Sequence, residues 1–423
     1  LKSEHKIGLG RHKMRDGIIA ALDVGSSKAA CIIARVSPDG AVTVLGVGNR
    51  ACLGVRAGAV TDLAETEDAI RKAVDQAEKL AAVSVEGVTL ATAAGYPESQ
   101  IVEMEVAVDG HEITRSDVDQ AIAEARAKID VGQKQILHSF PAAYAVDGTF
   151  INTSPVGMSA STLNVAMHVI TVTDGPVKNL QRCVQRAHLD VDQVIVAPFA
   201  SGLSALGASE QSVGAACIDI GGGTTDVSVF LHGSMVYAGV IPSGGKAITE
   251  EIARKLFTSF EDAERLKTLA GSAVMNPAHQ RDYIDAPQMA DTATMNRNLQ
   301  RLPRSELTLV MQGEYEKLFH KVQDRLDKAG FDRQSCPIVL CGGGALTENI
   351  IDLAQQILGP RVRLARHRGI PGLPDFAQGP QFSAVIGLLG HALNGDASKS
   401  GKKRQKNAQN LWGNLTQWFR QNF

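Results

Sequence analysis

Two stretches put a carboxylate beside a bare turn. In LDVGSSK (22–28), Asp23 precedes Gly25, Ser26, Ser27 and Lys28; in IDIGGGTTD (218–226), Asp219 precedes Gly221, Gly222, Gly223, Thr224 and Thr225. Glycine lets backbone N–H groups approach a ligand closely and permits positive φ. Successive N–H groups in a turn form an anion-binding concavity. Serine and threonine hydroxyls add donors, and each hydrogen bond to a charged group is worth roughly 1.5–3 kcal/mol. An aspartate repels phosphate, but it can hold Mg²⁺ through water, because that ion keeps much of its hydration shell. Asp23 and Asp219 are therefore the candidate metal-holding groups of a metal–phosphate clamp. A tight β-hairpin with glycines for the turn alone would explain either stretch singly. Two copies, each with its Asp before the glycine, favour the clamp.

Other phosphate loops fit less well. A dinucleotide fingerprint needs its glycines to open a helix, whereas 225–230 alternates like a strand. A Walker loop needs G-K-[ST], which is absent. A third run, Gly342, Gly343 and Gly344, opens a helix in VLCGGGALTENI, where close backbone approach to a base or ribose is the natural use. In DAERLKTLAGSA (262–273), Glu264 and Lys267 stand three apart on one helix face, which is equally the pattern of a solvated salt bridge.

The elements that would position these residues follow from periodicity. Residues 18–22 and 30–36 read as strands around the first turn, with 41–48 continuing the sheet. Residues 62–81 form an amphipathic helix and 88–94 a strand that Gly95 breaks. Then 100–108 alternates, 114–129 is a helix that Ser116 could cap, and 135–145 and 162–172 read as strands, together a small inserted α+β unit. A helix (176–187), a strand (193–196) and a helix (199–206) lead to the second turn. Residues 247–269 and 306–329 are helical and bracket a loop-rich stretch with a short hairpin, 275–304. Residues 380–393 form a last apolar helix. The segments IIAALDVGSSKAACIIARV and GAACIDIGGGTTDVSVFLH share one plan: strand, Asp-x-Gly, small residues, strand. A repeated supersecondary unit predicts two related lobes.

The chain has 423 residues, enough for two or more domains, and is 44% hydrophobic and 21% charged, ordinary for a globular protein. A net charge of −2 gives no sign of nucleic-acid binding by the whole chain. None of the six cysteines (31, 52, 183, 217, 336 and 341) forms a C-x-x-C pair, and reduced, buried thiols that suit a cytoplasm are expected. There is no apolar stretch of about 18 residues to span a membrane. The basic start, 1–16, lacks an apolar centre and reads as a disordered extension.

The last 25 residues change character. Lys399, Lys402, Lys403, Arg404 and Lys406 come with no acid, and then Leu411, Trp412, Leu415, Trp418, Phe419 and Phe423 fall on one helical arc. Aromatic residues on one face with basic residues nearby describe an in-plane helix on an anionic membrane, where each cation adds about 1 kcal/mol. The alternative is a helix docked on the body or in a partner groove; the polar linker favours reach.

The two turns and the Gly342–Gly344 run resemble the phosphate and adenosine motifs of the actin-like ATPase superfamily. With the inserted unit, the tail, and the segments RSDVDQAI, ILHSFPAAYAVD, TSPVGMSA and AVIGLL in order, residues 17–423 resemble the bacterial FtsA division proteins in particular. The resemblance implies an α/β, actin-like (ribonuclease H-like), two-lobed ATPase fold with ATP and Mg as cofactors. It places ATP among Asp23, Gly25, Ser26, Ser27, Lys28, Asp219, Gly221, Gly222, Gly223, Thr224 and Thr225. Gly244 and Gly245 of PSGGK approach the nucleotide, Glu264 and Lys267 match a ribose-contacting A-E-x-x-K pattern, and Gly342, Gly343 and Gly344 line the nucleoside pocket. It divides the chain into a first lobe (17–98 and 173–214), an inserted subdomain (99–172), and a second lobe (215–246 and 330–394). The second lobe carries an upper subdomain (247–329), and a linker (395–409) and membrane helix (410–423) follow.

The same resemblance implies binding of the FtsZ C-terminal tail on 247–329, a self-polymer, recruitment of later division proteins through the inserted subdomain, no nucleic acid, and a peripheral place on the cytoplasmic face of the inner membrane at the division site. The chain departs from the family pattern at Glu314, where a basic residue is common, and at Ala197, where the superfamily often puts a Glu or Gln before the proline to orient water. Slow ATP hydrolysis is the expectation. A sugar or acetate-type kinase would have no reason for the tail. A chaperone would need a longer C-terminal domain, and the tail also argues against a pilus-assembly ATPase.

Overall fold

The computed structural model describes residues 17–38, 40–151, 154–288, 299–367 and 369–397. The expected N-terminal extension and residues 398–423, with the expected membrane helix, lie outside the described residues. The first lobe opens with β1 (Ile18–Val24), β2 (Lys28–Val36) and β3 (Val42–Ala51), a small hairpin of β4 (Val55–Arg56) and β5 (Ala59–Val60), then α1 (Leu63–Ala81) and β6 (Gly87–Thr92). The inserted unit holds β7 (Glu98–Ala107), α2 (Arg115–Ala127), β8 (Gln135–Val146), β9 (Thr149–Ile151) and β10 (Thr162–Val172). Next come α3 (Asp174–Arg186), β11 (Asp190–Val196), α4 (Ala197–Ala205) and α5 (Ala208–Val213). The second lobe has β12 (Ala215–Ile220), β13 (Thr225–Leu231), β14 (Ser234–Ile241), α6 (Gly245–Lys255), α7 (Phe260–Ala270), β15 (Tyr283–Pro287) and β16 (Leu299–Pro303). It closes with α8 (Arg304–Lys328), β17 (Ile338–Cys341), α9 (Ile350–Leu358) and β18 (Val362–Leu364), and α10 (Ser383–Ala397) ends the described chain.

The repeat runs deeper than two strands. One sheet has the order β11-β6-β1-β2-β3, and the other begins β18-β17-β12-β13-β14. In each, an antiparallel three-strand meander is flanked by parallel strands. Each turn sits where its hairpin strand is paired on its other side by a parallel neighbour, so both Asp residues lie at the carboxyl ends of central strands. Such strand ends are where open α/β sheets bind ligands.

The second sheet continues into the inserted unit as β7-β10-β8-β9, joined to β14 by the pairing of Gly239 with Glu98. The Ser99 Oγ tightens that seam, donating to the Ala238 carbonyl (2.8 Å) and accepting from the Ala238 N–H (2.6 Å). The unit has its own core, in which Val118, Ala121 and Ala125 of α2 meet Leu163, Val165 and Met167 of β10. Helix α10 packs on the first sheet, its Val385 and Leu388 clustering with Ala21, Ile32 and Val47.

Several local expectations change. Thr114, not Ser116, caps α2, because Asp117 falls at its third position. The Thr114 Oγ1 accepts from the Asp117 N–H while the Asp117 carboxylate accepts from the Thr114 N–H, a capping box. The helix expected over 247–269 is two helices, since Phe257 takes a positive φ of 51° and Ser259 starts a new N-cap. The third glycine run opens a single 3₁₀ turn (Gly343–Leu346), and α9 starts only at Ile350. The last helix runs on to Ala397. The six cysteines are free thiols, five buried and Cys336 half-buried.

Candidate functional site

The two turns meet. A cavity of about 80 Å³ is lined by Asp23, Gly25 and Ser26 from the first and by Asp219, Gly221, Gly222 and Thr224 from the second, with Asp226 and Ala197 beside them. A Cβ built on Gly222 would lie 1.9 Å from the Ser27 Oγ, and one on Gly223 2.4 Å from the Ser26 Oγ. The glycines of one lobe thus admit the serines of the other. Thr225 is buried and donates to the Ser243 carbonyl at 2.8 Å, tying the second turn to the PSGGK loop. That loop closes over the same turn: the Gly245 N–H donates to the Gly221 carbonyl (2.9 Å) and the Lys246 N–H to the Gly222 carbonyl (2.7 Å).

The outer predicted residues fall around this centre. The Lys267 Nζ reaches the Gly245 carbonyl (3.0 Å), the Thr249 Oγ1 (2.8 Å) and the Glu264 Oε2 (2.7 Å). Glu264 and Lys267 are therefore joined to the start of α6, with Lys267 mostly buried, rather than forming a fully solvated pair. Burial lowers the Lys267 pKa, and Glu264 opposes that. Gly342 has φ 84°, and a Cβ there would lie 2.3 Å from the Asp219 Oδ1. Gly344 packs on Ile220 in the same way, and nothing lies within 4 Å of a Cβ on Gly343. The Tyr315 hydroxyl of α8 donates to the Gly344 carbonyl at 3.3 Å, connecting the upper helices to this run.

The cavity gathers three acids. Burial pushes the Asp23 carboxyl up to about 6, opposed by Lys28 and helped by Asp219. Burial also raises Asp219, opposed by a hydrogen bond from the Ser201 hydroxyl and by Lys28. Burial, then the charges of Asp219 and Asp23, hold Asp226 well above the usual carboxylate range. Lys28, lowered to about 8 by burial, donates to the Gln381 carbonyl and sits 3.6 Å from the centroid of the Phe382 ring. Asp23 and Asp219 thus share one lysine, while the buried Asp226 answers to the other two acids.

Asp226, Ser201 and Gly58 were missed in the sequence. Asp226 faces Asp219 directly across the hairpin, and its Oδ1 is buried with no hydrogen-bond partner. The signal was present, since alternation from Asp219 through a known turn puts the TTD acid opposite it. The orphaned oxygen, the carboxylate cluster and the glycine cradle suit a hydrated divalent cation beside a polyphosphate. Among the described residues no group of three or more His, Cys, Asp or Glu makes a direct metal site.

The model of the family "Cell division protein FtsA" matches residues 216–387, and that of the "SHS2 domain inserted in FTSA" matches 94–171. The curated cell division protein FtsA of Rhizobium meliloti is 33% identical over 97% of this chain and 96% of its own length. The chain belongs to the FtsA family. The FtsA of Agrobacterium fabrum is 36% identical over 89% of this chain and 87% of its own length; that of Escherichia coli K12 is 31% identical over 96% and 98%. The fold is that of actin-like proteins. The PilM–PilN type IV pilus biogenesis complex superposes with a TM-score of 0.62 at 16% identity, covering 89% of this chain and 98% of that one. MreB5 of Spiroplasma citri bound to ADP superposes with 0.52 at 14% identity, covering 91% and 99%. Among the described residues no helix is long and apolar enough to cross a membrane.

Proposed function

We propose that this FtsA-family chain binds Mg²⁺·ATP between its two glycine turns and uses the bound state in assembly, tethering FtsZ filaments to the cytoplasmic membrane. The observation that carries the nucleotide reading is the single cavity shared by Asp23, Asp219 and both turns. The backbone N–H groups and hydroxyls of Gly25–Ser27 and of 221–225 would hold phosphate oxygens, and Lys28 would turn from its carbonyl perch toward their charge. Asp23, Asp219 and Asp226 would hold the hydrated ion, which supplies charge neutralisation between the acids and the phosphates. Gly342–Gly344, with Glu264 and Lys267, would take the nucleoside. Ala197 lines the cavity with a methyl group, so nothing at that position orients water, and turnover is expected well below about 1 s⁻¹.

The tether rests on sequence. The arc of Leu411, Trp412, Leu415, Trp418, Phe419 and Phe423 behind a basic linker has the pattern of an in-plane membrane helix. The upper subdomain (247–329) would take the FtsZ tail, and the inserted unit would receive later division proteins. Liposome co-sedimentation tests the whole reading. FtsZ should pellet with anionic vesicles only when this chain is present, and deleting 410–423 should abolish pelleting. Trp412→Glu or Trp418→Glu should release the chain from vesicles while leaving ATP binding intact. Pelleting that survives the deletion would refute the tether.

A further inference from the structure

The small hairpin β4–β5 has no place in the sequence-based reading, and it reaches the phosphate cavity. Its base is fixed to the first lobe: the Cys52 N–H donates to the Ser27 carbonyl at 3.1 Å, and the Thr61 and Asp62 N–H groups both donate to the Gly54 carbonyl. Val55 is buried beneath it. Its tip, Ala57 (φ 47°) and Gly58 (φ 78°), is left-handed at both positions, as a two-residue hairpin turn of the primed type requires. Alanine avoids that region, so its surroundings must hold it there.

Those surroundings belong to both lobes. Gly58 lines the cavity. A Cβ on it would lie 3.0 Å from the Ala93 carbonyl oxygen of the first lobe and 3.6 Å from the Thr224 Cγ2 of the second; one on Gly223 would lie 2.8 Å from the Ala57 backbone nitrogen. Beside the tip, the Arg56 Nη2 meets the Glu250 Oε1 of α6 at 2.9 Å. That helix begins on the carbonyls of Gly221 and Gly222. The ion pair therefore links a first-lobe hairpin to the second-lobe helix that backs the phosphate turn.

We propose that the β4–β5 hairpin is a third wall of the phosphate cavity and that Arg56–Glu250 latches it across the cleft, so that nucleotide leaves only when the latch opens. This rests on the nucleotide reading above. Both side chains are exposed, so the pair is weak, and the expected effect on release is roughly two- to fivefold.

The test is dissociation of mant-ATP with Mg²⁺ from the full chain, chased with unlabelled ATP at low salt. Arg56→Glu and Glu250→Arg should each speed release roughly two- to fivefold. The double swap and Arg56→Lys should restore the wild-type rate, and the differences should shrink at 0.5 M salt as the charges are screened. The single variants lie on different lobes, so a folding failure in one leaves the other to measure. Wild-type release rates in the singles, or a swap that releases as fast as they do, would overturn the latch. A wild-type chain that binds no mant-ATP would instead overturn the nucleotide reading beneath it.

Discussion

The two glycine turns share a backbone plan and carry opposite charge logic. Across β1–β2, Asp23 faces Ala30, and Lys28 follows the serines. Across β12–β13, Asp219 faces Asp226, with two threonines and no lysine between. The first turn is close to self-neutralising, whereas the second concentrates like charge. One turn brings a cation of its own, and the other sets acid against acid with no lysine between.

The largest expected effect tests how tightly the second turn is built compared with the first. Gly342→Ala puts a Cβ against the Asp219 carboxylate at a φ that disfavours side chains, and should cost ~3 kcal/mol or more. Gly223→Ala, against the Ala57 backbone, should cost ~1–3 kcal/mol. Gly25→Ala, whose nearest contact would be an ordinary 3.5 Å, should cost under ~1 kcal/mol. Urea unfolding midpoints check the order; equal costs in the two turns would erase the contrast.

The next effect is electrostatic. Without Mg²⁺ at pH 7.5, Asp226→Asn should raise the melting temperature by about 2 °C, because it removes one of three crowded carboxylates. The same variant should lose most of the stabilisation that Mg²⁺ gives the wild type. Asp23 sharpens this through pH. Its carboxyl is raised to about 6 from 3.8, so its contribution to stability is present below the unfolded value and lost as pH rises through about 6. The metal-free protein should therefore weaken between pH 4 and 7, and the gain from Mg²⁺ should grow over the same interval. Thermal scans in EDTA and in Mg²⁺ measure both. A gain from Mg²⁺ as large at pH 5 as at pH 7.5 would contradict the ionisation scheme.

The smallest effect concerns Ser201. Ser201→Ala removes the hydroxyl that opposes the burial-driven rise of the Asp219 pKa, and should weaken Mg²⁺ binding several-fold at neutral pH while leaving the fold unchanged. Isothermal titration reads it directly.

Local pattern carried most of the site. Asp-x-Gly between alternating runs located both turns, and helical spacing placed Glu264 beside Lys267. What it could not carry was pairing at a distance. The hairpin of β4 and β5 has two-residue strands, too short for any alternation to register. Ser201 lies in a small-residue helix whose sequence gives no hint that Asp219 is above it. The break at Phe257 hid inside a continuous apolar period, since a left-handed residue leaves no compositional mark unless it is glycine or asparagine. The joining of the inserted sheet to the second lobe depends on Gly239 meeting Glu98, 141 residues away along the chain, where neither residue type announces it.

That seam has a mechanical consequence. The inserted unit is rooted by chain connectivity in the first lobe, between β6 and α3, yet its sheet edge is welded to the second. It is held like a beam with supports on two separate piers: the second at Ser99 and Ala238, the first where the Val196 N–H donates to the Nε2 of His138 at 3.0 Å. Relative movement of the piers would load the beam, so a chimaera that borrows this unit from a relative should bring both bearings with it.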